Sequence, residues 1–170
     1  MLLSIIPLLQ SFSIPDKAPV MKGYNLESVK ERHKKAVNGR LEGLWYYPDE
    51  HMTLSIERIE NERGYYRVVA VEAEDCAVDC GSVIGYMEES AESGKLRLWL
   101  YSGIADDTLT RPIECVANVE NNGNNIVIDK PEIKNTDVDE HRTIPAVYFR
   151  THKNLSTIGK IGNQARIHKD

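Results

Sequence analysis

The sequence lacks an excess of positive charge. Its 170 residues carry 21 Lys and Arg against 26 Asp and Glu, which gives a formal net charge of −5. Proteins that bind nucleic acid need clustered Lys and Arg to displace counterions from the phosphates, so the composition argues against nucleic acid as a partner. Hydrophobic residues make up 41% and charged residues 28%, which is ordinary for a globular protein. One domain is the expectation for a chain of this length.

The sequence also lacks an apolar run long enough to span a bilayer, which needs about 20 residues. The most apolar stretch is residues 1–14, and its length is that of the hydrophobic region of a signal peptide. Ser11 and Ser13 supply small residues before a cut after Ser13. We therefore expect residues 1–13 to be a signal peptide, and the protein to be exported to a periplasm, a cell surface or the medium. The alternative is an apolar segment packed on the core.

Recognisable catalytic and metal-binding motifs are missing as well. The chain has no G-x-S-x-G elbow, no G-x-G-x-x-G loop and no P-loop. Zinc needs about four ligands, and three cysteines without a second paired motif do not supply them. The acidic stretches 72–79 and 137–140 lack the order of an EF-hand loop. The sequence therefore predicts no enzyme, no cofactor and no metal.

The three cysteines divide into a close pair and a single residue. Cys76 and Cys80 flank three residues of a connection between strands, and in an exported protein they are suited to a local disulfide. Cys115 alternates with Ile113 and Ala117 along a strand, so we expect it to be a buried thiol.

Helical periodicity is clear only over residues 25–37. Asn25 is a suitable N-cap, Glu27 favours the positive end of the helix dipole, and Gly39 follows as a C-terminal stop. An apolar stripe at helical spacing predicts that the helix is amphipathic. His33 lies on that stripe, where we expect a packed histidine rather than a ligand. Residues 14–24 precede the helix and are assigned as a linker.

After Gly39 the hydrophobic period changes from 3.6 to 2, which predicts a β domain over residues 43–150. Eight strands are expected near 43–47, 52–59, 65–73, 82–88, 95–102, 111–120, 125–129 and 144–150. The short connections leave no room for crossover helices, so neighbouring strands should pair antiparallel. An up-and-down barrel of about eight strands removes both sheet edges; a β-sandwich is the alternative. Gly85 inside a strand predicts a bulge or a tight bend.

The last twenty residues, 151–170, form a basic tail with four Lys or Arg and one Asp. We expect this tail to be a loosely held terminus, with an acidic partner or a membrane surface as the alternative reading.

The strands have distinguishable faces. Five aliphatic side chains are expected to point inward: Leu54, Ile56, Leu96, Leu98 and Leu100. Trp99 and Tyr101 would then lie outside, beside Tyr86 of the preceding strand. An outer aromatic face of this kind needs a cover, which the amphipathic helix or a partner protein could supply.

Three short motifs resemble those of lipocalins. Gly43-Leu44-Trp45 resembles the G-x-W signature that opens the first strand of that family, and Asn135-Thr136-Asp137-Val138 is similar to its T-D-Y turn, with Val138 in place of the aromatic residue. The resemblance implies an eight-stranded barrel in which Trp45 closes one end and Arg150 packs against it. The strand layout also resembles exported lipocalin-like domains of Gram-negative bacteria, which imply export and a barrel but no particular ligand.

Two functions follow as hypotheses. The first is a lipocalin-like binding domain for a small apolar molecule, lined by the five inward residues, since small eight-stranded barrels either fill with side chains or hold one small ligand. The second is a protein-interaction module that uses Tyr86, Trp99 and Tyr101, because aromatic residues are enriched at interfaces.

Overall fold

The computed structural model describes residues 12–36, 39–48, 51–73 and 78–129, together with the backbone of residues 147–150. It contains one α-helix, α1 (Leu26–Lys35), and a short 3-10 turn at Asn121–Gly123. The strands are β1 (Gly43–Tyr47), β2 (Met52–Arg58), β3 (Tyr65–Ala73), β4 (Val83–Glu89), β5 (Lys95–Ala105), β6 (Thr108–Glu120), β7 (Asn125–Ile128) and β8 (Val147–Arg150).

The strands pair antiparallel in chain order. β1 to β7 form one sheet that curls into a half-barrel. The backbone of β8 pairs with β7 over three residue pairs and with β1 over two. The prediction of an all-β, antiparallel domain with one helix is confirmed. All the pairings belong to a single sheet, so the two-sheet sandwich is not the architecture found.

The largest difference from the predicted strands is at the β5–β6 hairpin. The expected strands ended at 102 and began again at 111, whereas the hairpin continues to a two-residue turn at Asp106 and Asp107. Both residues have positive φ, 50° and 56°, as a type I′ hairpin turn requires. Aspartate tolerates this left-handed conformation better than most residues. The turn was missed because Asp-Asp lacks the glycine that normally marks it.

The inner face of the sheet carries an apolar cluster that closes around Leu41 and Trp45, both with no exposed surface. Trp45 Nε1 donates to the Leu41 carbonyl at 2.9 Å, which fixes the chain where it enters β1. All five residues predicted to point inward belong to this cluster. We call the end of the sheet where β1 begins the Gly43 end, and the opposite end, where β2 begins, the Met52 end.

The outer face of β3 is apolar too, and the helix covers part of it. Val68 and Ala70 belong to the inner cluster, whereas Val69 and Val71 belong to a second, outer cluster. Val29 of α1 is fully buried in this outer cluster. The helix begins where the Asn25 side chain accepts a hydrogen bond from the Ser28 N–H at 2.9 Å. The expectation that the helix packs on the sheet is confirmed, over Leu26–Lys35 rather than 25–37.

Residues 12–21, which we call the strap, also lie on the outside of the sheet. Two isolated bridges attach it, Lys17 to Thr110 of β6 and Val20 to Ser82 just before β4. The segment 14–24, assigned as a linker from its sequence, is therefore largely bound to the sheet by main-chain hydrogen bonds. No helix within the described ranges has the length and apolar character needed to cross a membrane.

Several predictions lie outside the described residues. These concern residues 1–11 of the signal peptide, Cys76, the Asn135–Val138 motif and the basic tail 151–170. They remain predictions.

Gly85 lies at an irregularity between β3 and β4, as its place inside a strand predicted. Val68 pairs with Gly85, but Val69 pairs with Val83, so the register shifts by one residue. A Cβ atom at Gly85 would lie 2.5 Å from the Trp99 carbonyl oxygen and 2.7 Å from Leu100 Cδ2. No side chain fits there without displacing β5.

We expect Gly85→Ala to lower the free energy of unfolding by about 1–3 kcal/mol, the usual cost of overpacking a core. Urea denaturation followed by tryptophan fluorescence measures this change. Ser93→Ala, in an exposed turn, is the control and should change stability little. An unchanged urea midpoint for Gly85→Ala would contradict the close approach of β4 and β5.

Candidate functional site

At the Gly43 end of the inner cluster, Leu41 has no exposed surface. A group of polar side chains lies at the same end of β2, β3 and β4. The Tyr66 hydroxyl donates to Glu89 at 3.1 Å and accepts from Arg58 at 3.4 Å. Burial, together with the charge of Glu89, raises the pKa of Tyr66, so this hydroxyl stays protonated and keeps donating.

Exposure on the inner face increases toward the Met52 end. Leu54, Ile56, Leu96 and Leu98 have no exposed surface, whereas Leu100 retains 4% and Met52 retains 7%. The five predicted ligand-lining residues therefore belong to one cluster. Four of them, Leu54, Ile56, Leu96 and Leu98, are fully buried, and we call these four the packed floor of the inner face. Access from solvent is greater near Met52, Leu100 and Ile128.

Cys115 also belongs to the inner cluster and is 5% exposed. Burial raises the pKa of its thiol to about 11, so it is protonated at neutral pH and reacts slowly. The prediction of a buried thiol is confirmed. Cys80 is exposed. Its predicted partner Cys76 lies outside the described residues, so the disulfide remains a prediction.

The register of β1 and β8 makes Trp45 and Arg150 Cα partners. The sequence motif that suggested their pairing thus falls on positions that face each other across two strands. Trp45 is fully buried. The stacking of the Arg150 guanidinium on the indole remains a prediction, since only the backbone of β8 is described.

The outer aromatic face is occupied by the strap. Phe12 packs against Tyr65 and Tyr86, with ring centroids 5.2 and 5.3 Å apart. The Tyr101 hydroxyl donates to the Pro15 carbonyl at 2.7 Å. Tyr86 and Tyr101 are consequently buried, and burial raises the pKa of both phenols. Trp99 is half-buried, and Arg97 lies 4.9 Å from its ring.

From the sequence, we expected the helix or a partner protein to cover these aromatic residues. The helix contributes Val29 to the same outer cluster, but the direct contacts to Tyr86 and Tyr101 come from the strap. Nothing in the composition of residues 12–21 distinguishes them from a linker, except the alternation of Phe12 and Ile14.

A polar cluster centred on Glu57 joins the helix to β2 and β3, and the sequence analysis missed it. Glu57 accepts hydrogen bonds from Tyr24 at 2.6 Å, Ser55 at 2.9 Å and Arg67 at 3.0 Å. Arg32 Nη2 lies 3.3 Å from Glu57 Oε1, and Arg32 Cζ lies 4.1 Å from the centroid of the Tyr24 ring. The signal that could have found the cluster is the alternation of Thr53, Ser55 and Glu57 on the outer side of an otherwise apolar strand.

His33 and Ser55 belong to this cluster, with His33 Nε2 2.9 Å from Ser55 Oγ. In a Ser-His-acid triad the carboxylate orients the histidine. Here the carboxylate of Glu57 accepts from the serine instead, and Ser55 has no exposed surface. The arrangement therefore docks the helix and offers no accessible nucleophile. The expectation that His33 is a packed histidine is confirmed.

Metal ligands are not grouped in the part of the chain that the structure describes. No three His, Cys, Asp or Glu side chains there lie close enough to hold an ion.

Glu57 makes the docking of the helix dependent on pH. Burial acts to raise the pKa of Glu57, but the hydrogen bonds from Tyr24, Ser55 and Arg67 outweigh it, and the pKa is lowered from the ordinary value of 4.5. Stability from a lowered carboxyl pKa is present above the unfolded value and is lost as pH falls through the folded value. The loss therefore begins below about pH 4.5.

We expect Glu57→Gln to lower the free energy of unfolding at pH 7 by about 1–3 kcal/mol, because Arg67 and Arg32 lose a charged acceptor. The variant should also lose stability less steeply than the wild type between pH 5 and pH 3, a range set by the ordinary carboxyl pKa. Urea denaturation across that range measures both effects. Glu60→Gln, at an exposed turn position, is the control; equal slopes for wild type and Glu57→Gln would contradict this role.

Comparison with protein families, with curated proteins and with solved structures finds no match to this chain.

Proposed function

We propose that this protein is an exported, non-enzymatic binding domain of lipocalin-like architecture, which takes a small apolar molecule at the Met52 end of its inner face. The observation that carries the proposal is the chemistry of that face. The described residues of the inner cluster include no charged side chain, and its polar groups are the indole N–H of Trp45, the hydroxyls of Tyr47 and Tyr66 and the thiol of Cys115. The other buried polar side chains among the described residues are Thr53, Ser55 and Ser82. Thr53 and Ser55 alternate with inward Leu54, so they lie on the outside.

Closure into an eight-stranded barrel is part of the proposal. The register of β8 against both β1 and β7 supports it, as does the G-x-W motif at the start of β1. A closed barrel of this size has room for side chains or for one small ligand. The packed floor at Leu54 and Leu98 limits the ligand to the volume near Met52, Leu100 and Ile128, which favours a small molecule over a long lipid.

The choice of an apolar ligand follows from desolvation. A polar or charged ligand group buried among Met52, Leu100 and Ile128 would lose its hydrogen bonds to water, at a cost of several kcal/mol. An apolar molecule instead gains about 25 cal/mol for each Å² that it removes from water.

Cys115 provides a direct test, because its thiol lies on the inner face. In the variant C76S/C80S it is the only thiol of the chain. We expect N-ethylmaleimide to label it in the native protein faster than global unfolding allows, and decanol to slow this labelling. The rate is measured by mass spectrometry at pH 8, with global unfolding measured separately by hydrogen exchange.

The matched control is C76S/C115A, which leaves the exposed Cys80. Its labelling should be fast and indifferent to decanol. A Cys115 that reacts only at the rate of global unfolding, with or without decanol, would show a dry core and overturn the proposal. Native mass spectrometry of the purified protein adds a second readout, since a bound ligand appears as a mass that denaturation removes.

The closing contact of the barrel is tested at Trp45 and Arg150. We expect Trp45→Ala to cost about 3–5 kcal/mol through lost burial and the cavity that remains, and stacking with Arg150 to contribute about 0.5–2 kcal/mol. A double-mutant cycle with Arg150→Met measures this coupling. Additive effects of the two substitutions would contradict the stacked pair. Trp45→Phe, which keeps most of the buried area, is the control for general loss of packing.

Export is tested by the N-terminus of the mature protein. A cut after Ser13 predicts a chain that begins at Ile14 and lacks the Phe12 ring that packs on Tyr65 and Tyr86. N-terminal sequencing of the protein purified from its producing cells measures the position. Intact Met1 on cytosolic protein would contradict export.

A further inference from the structure

The geometry of the outer face points to a second binding site. We propose that the outer face of β4, β5 and β6 is a groove for an extended, proline-containing peptide, that the strap occupies it in cis, and that a free peptide of the strap sequence binds it in trans. This site lies on the opposite face of the sheet from the proposed ligand site and does not depend on it. A cut after Ser13 would remove Phe12, so the groove is described and tested in the uncut chain.

Main-chain hydrogen bonds hold the strap in the way that a sheet holds an added strand. The Val83 N–H donates to the Pro19 carbonyl at 3.0 Å, and the Met21 N–H donates to the Gly81 carbonyl at 2.7 Å. Farther along, the Ala18 N–H donates to the Leu109 carbonyl at 2.8 Å. Such bonds give affinity for an extended peptide irrespective of its side chains.

Two positions where strap side chains pack against the sheet, which we call wells, make the groove selective for certain peptide side chains. Phe12 sits against Tyr65 and Tyr86, and Ala18 is 7% exposed. Lys17 and Val20, on either side of Ala18, are exposed to solvent, with Val20 60% exposed. The wells therefore accept an aromatic ring at one end and a small residue six positions later.

The two prolines of the strap match the hydrogen-bonding pattern of the groove. Proline has no N–H to donate. At Pro15 and Pro19 the groove needs only an acceptor, because the Pro15 carbonyl accepts from the Tyr101 hydroxyl and the Pro19 carbonyl accepts from the Val83 N–H. Proline also restricts φ, so an unbound peptide loses less conformational freedom when it becomes extended. These features define the chemical class of the ligand.

Gly81 allows the strap to approach closely. It has a φ of +94°, and a Cβ atom there would overlap the Met21 carbonyl oxygen. Gly64 has a similar φ of +84°, but a Cβ atom there meets nothing within 4 Å. Alanine at either position strains the backbone, yet only alanine at Gly81 obstructs the groove. The two glycines make a matched pair for a test.

Within the described part of the chain, the polar and ring contacts of the strap are made with residues distant in sequence, between Tyr65 and Thr110. A peptide supplied in trans can therefore make the same contacts. The covalent strap has an effective concentration in the millimolar range, so it outcompetes a free peptide unless its own contacts are weakened. The test must weaken them in the full chain.

The experiment uses the full chain with Phe12→Ala and Ile14→Ala, and a fluorescein-labelled peptide with the wild-type sequence of residues 12–21. We expect saturable binding by fluorescence anisotropy, with affinity for the wild-type chain at least about 10-fold weaker because the strap competes. Adding Gly81→Ala to the weakened chain should reduce binding about 10-fold or more, whereas Gly64→Ala should leave it within about twofold, because only the first alanine obstructs the strap path.

The absence of saturable binding, equal affinity of the wild-type and weakened chains, or equal losses for Gly81→Ala and Gly64→Ala would each overturn the proposal. A scrambled peptide that binds as well would overturn its selectivity. If the weakened chain fails to fold, the wild-type chain is titrated with unlabelled peptide at millimolar concentration and followed by NMR. Displacement of the strap moves the Ala18 and Met21 amide signals to random-coil positions. Signals that do not move at saturating peptide refute binding in trans.

Discussion

The sheet of this protein is apolar on both of its faces, and the rest of the structure depends on that constraint. In β3, Val68 and Ala70 face the inner cluster while Val69 and Val71 face outward. Curling buries the inner face, but it leaves the outer face exposed to water. A second layer is therefore needed outside the sheet, and the helix and the strap supply it.

The two parts of this outer layer are held by different physical means. The strap is attached by main-chain hydrogen bonds and aromatic contacts. The helix is attached by Val29 and Leu26, which pack in the outer cluster, and by the polar cluster around Glu57. Tyr24 connects the two parts, because it lies between strap and helix and donates to Glu57. Loss of the negative charge of Glu57 therefore weakens the docking of the helix directly, and it reaches the strap through the hydrogen bond from Tyr24.

The strands were predictable from the sequence because each lies between clear turn signals and alternates in polarity. β1 and β3 have the predicted bounds, and the place of Gly85 indicated the irregularity in register. The inward leucines were predictable for the same reason. These features depend on local pattern, which a single sequence contains.

The strap and the Glu57 cluster could not be predicted, because both depend on contacts between distant segments. Prolines and charges in residues 14–24 are typical of a linker, and the contacts that bind the segment come from residues between Gly81 and Leu109, far along the chain. The Glu57 cluster joins side chains from α1, β2 and β3 with Tyr24, which lies two residues before the helix. The β5–β6 turn was missed for a local reason, since its two aspartates adopt a conformation usually given to Asn-Gly.

The contact between Pro15 and Tyr101 has a consequence for the order in which the protein is made. The two residues are 86 positions apart, and Ala18 binds a carbonyl still farther along, at Leu109. A ribosome must reach the first residues of β6 before the strap has all of these partners. Throughout that interval the strap lacks part of its binding surface. Any factor that recognises the strap has this interval in which to act, and it ends when the start of β6 takes its place in the sheet.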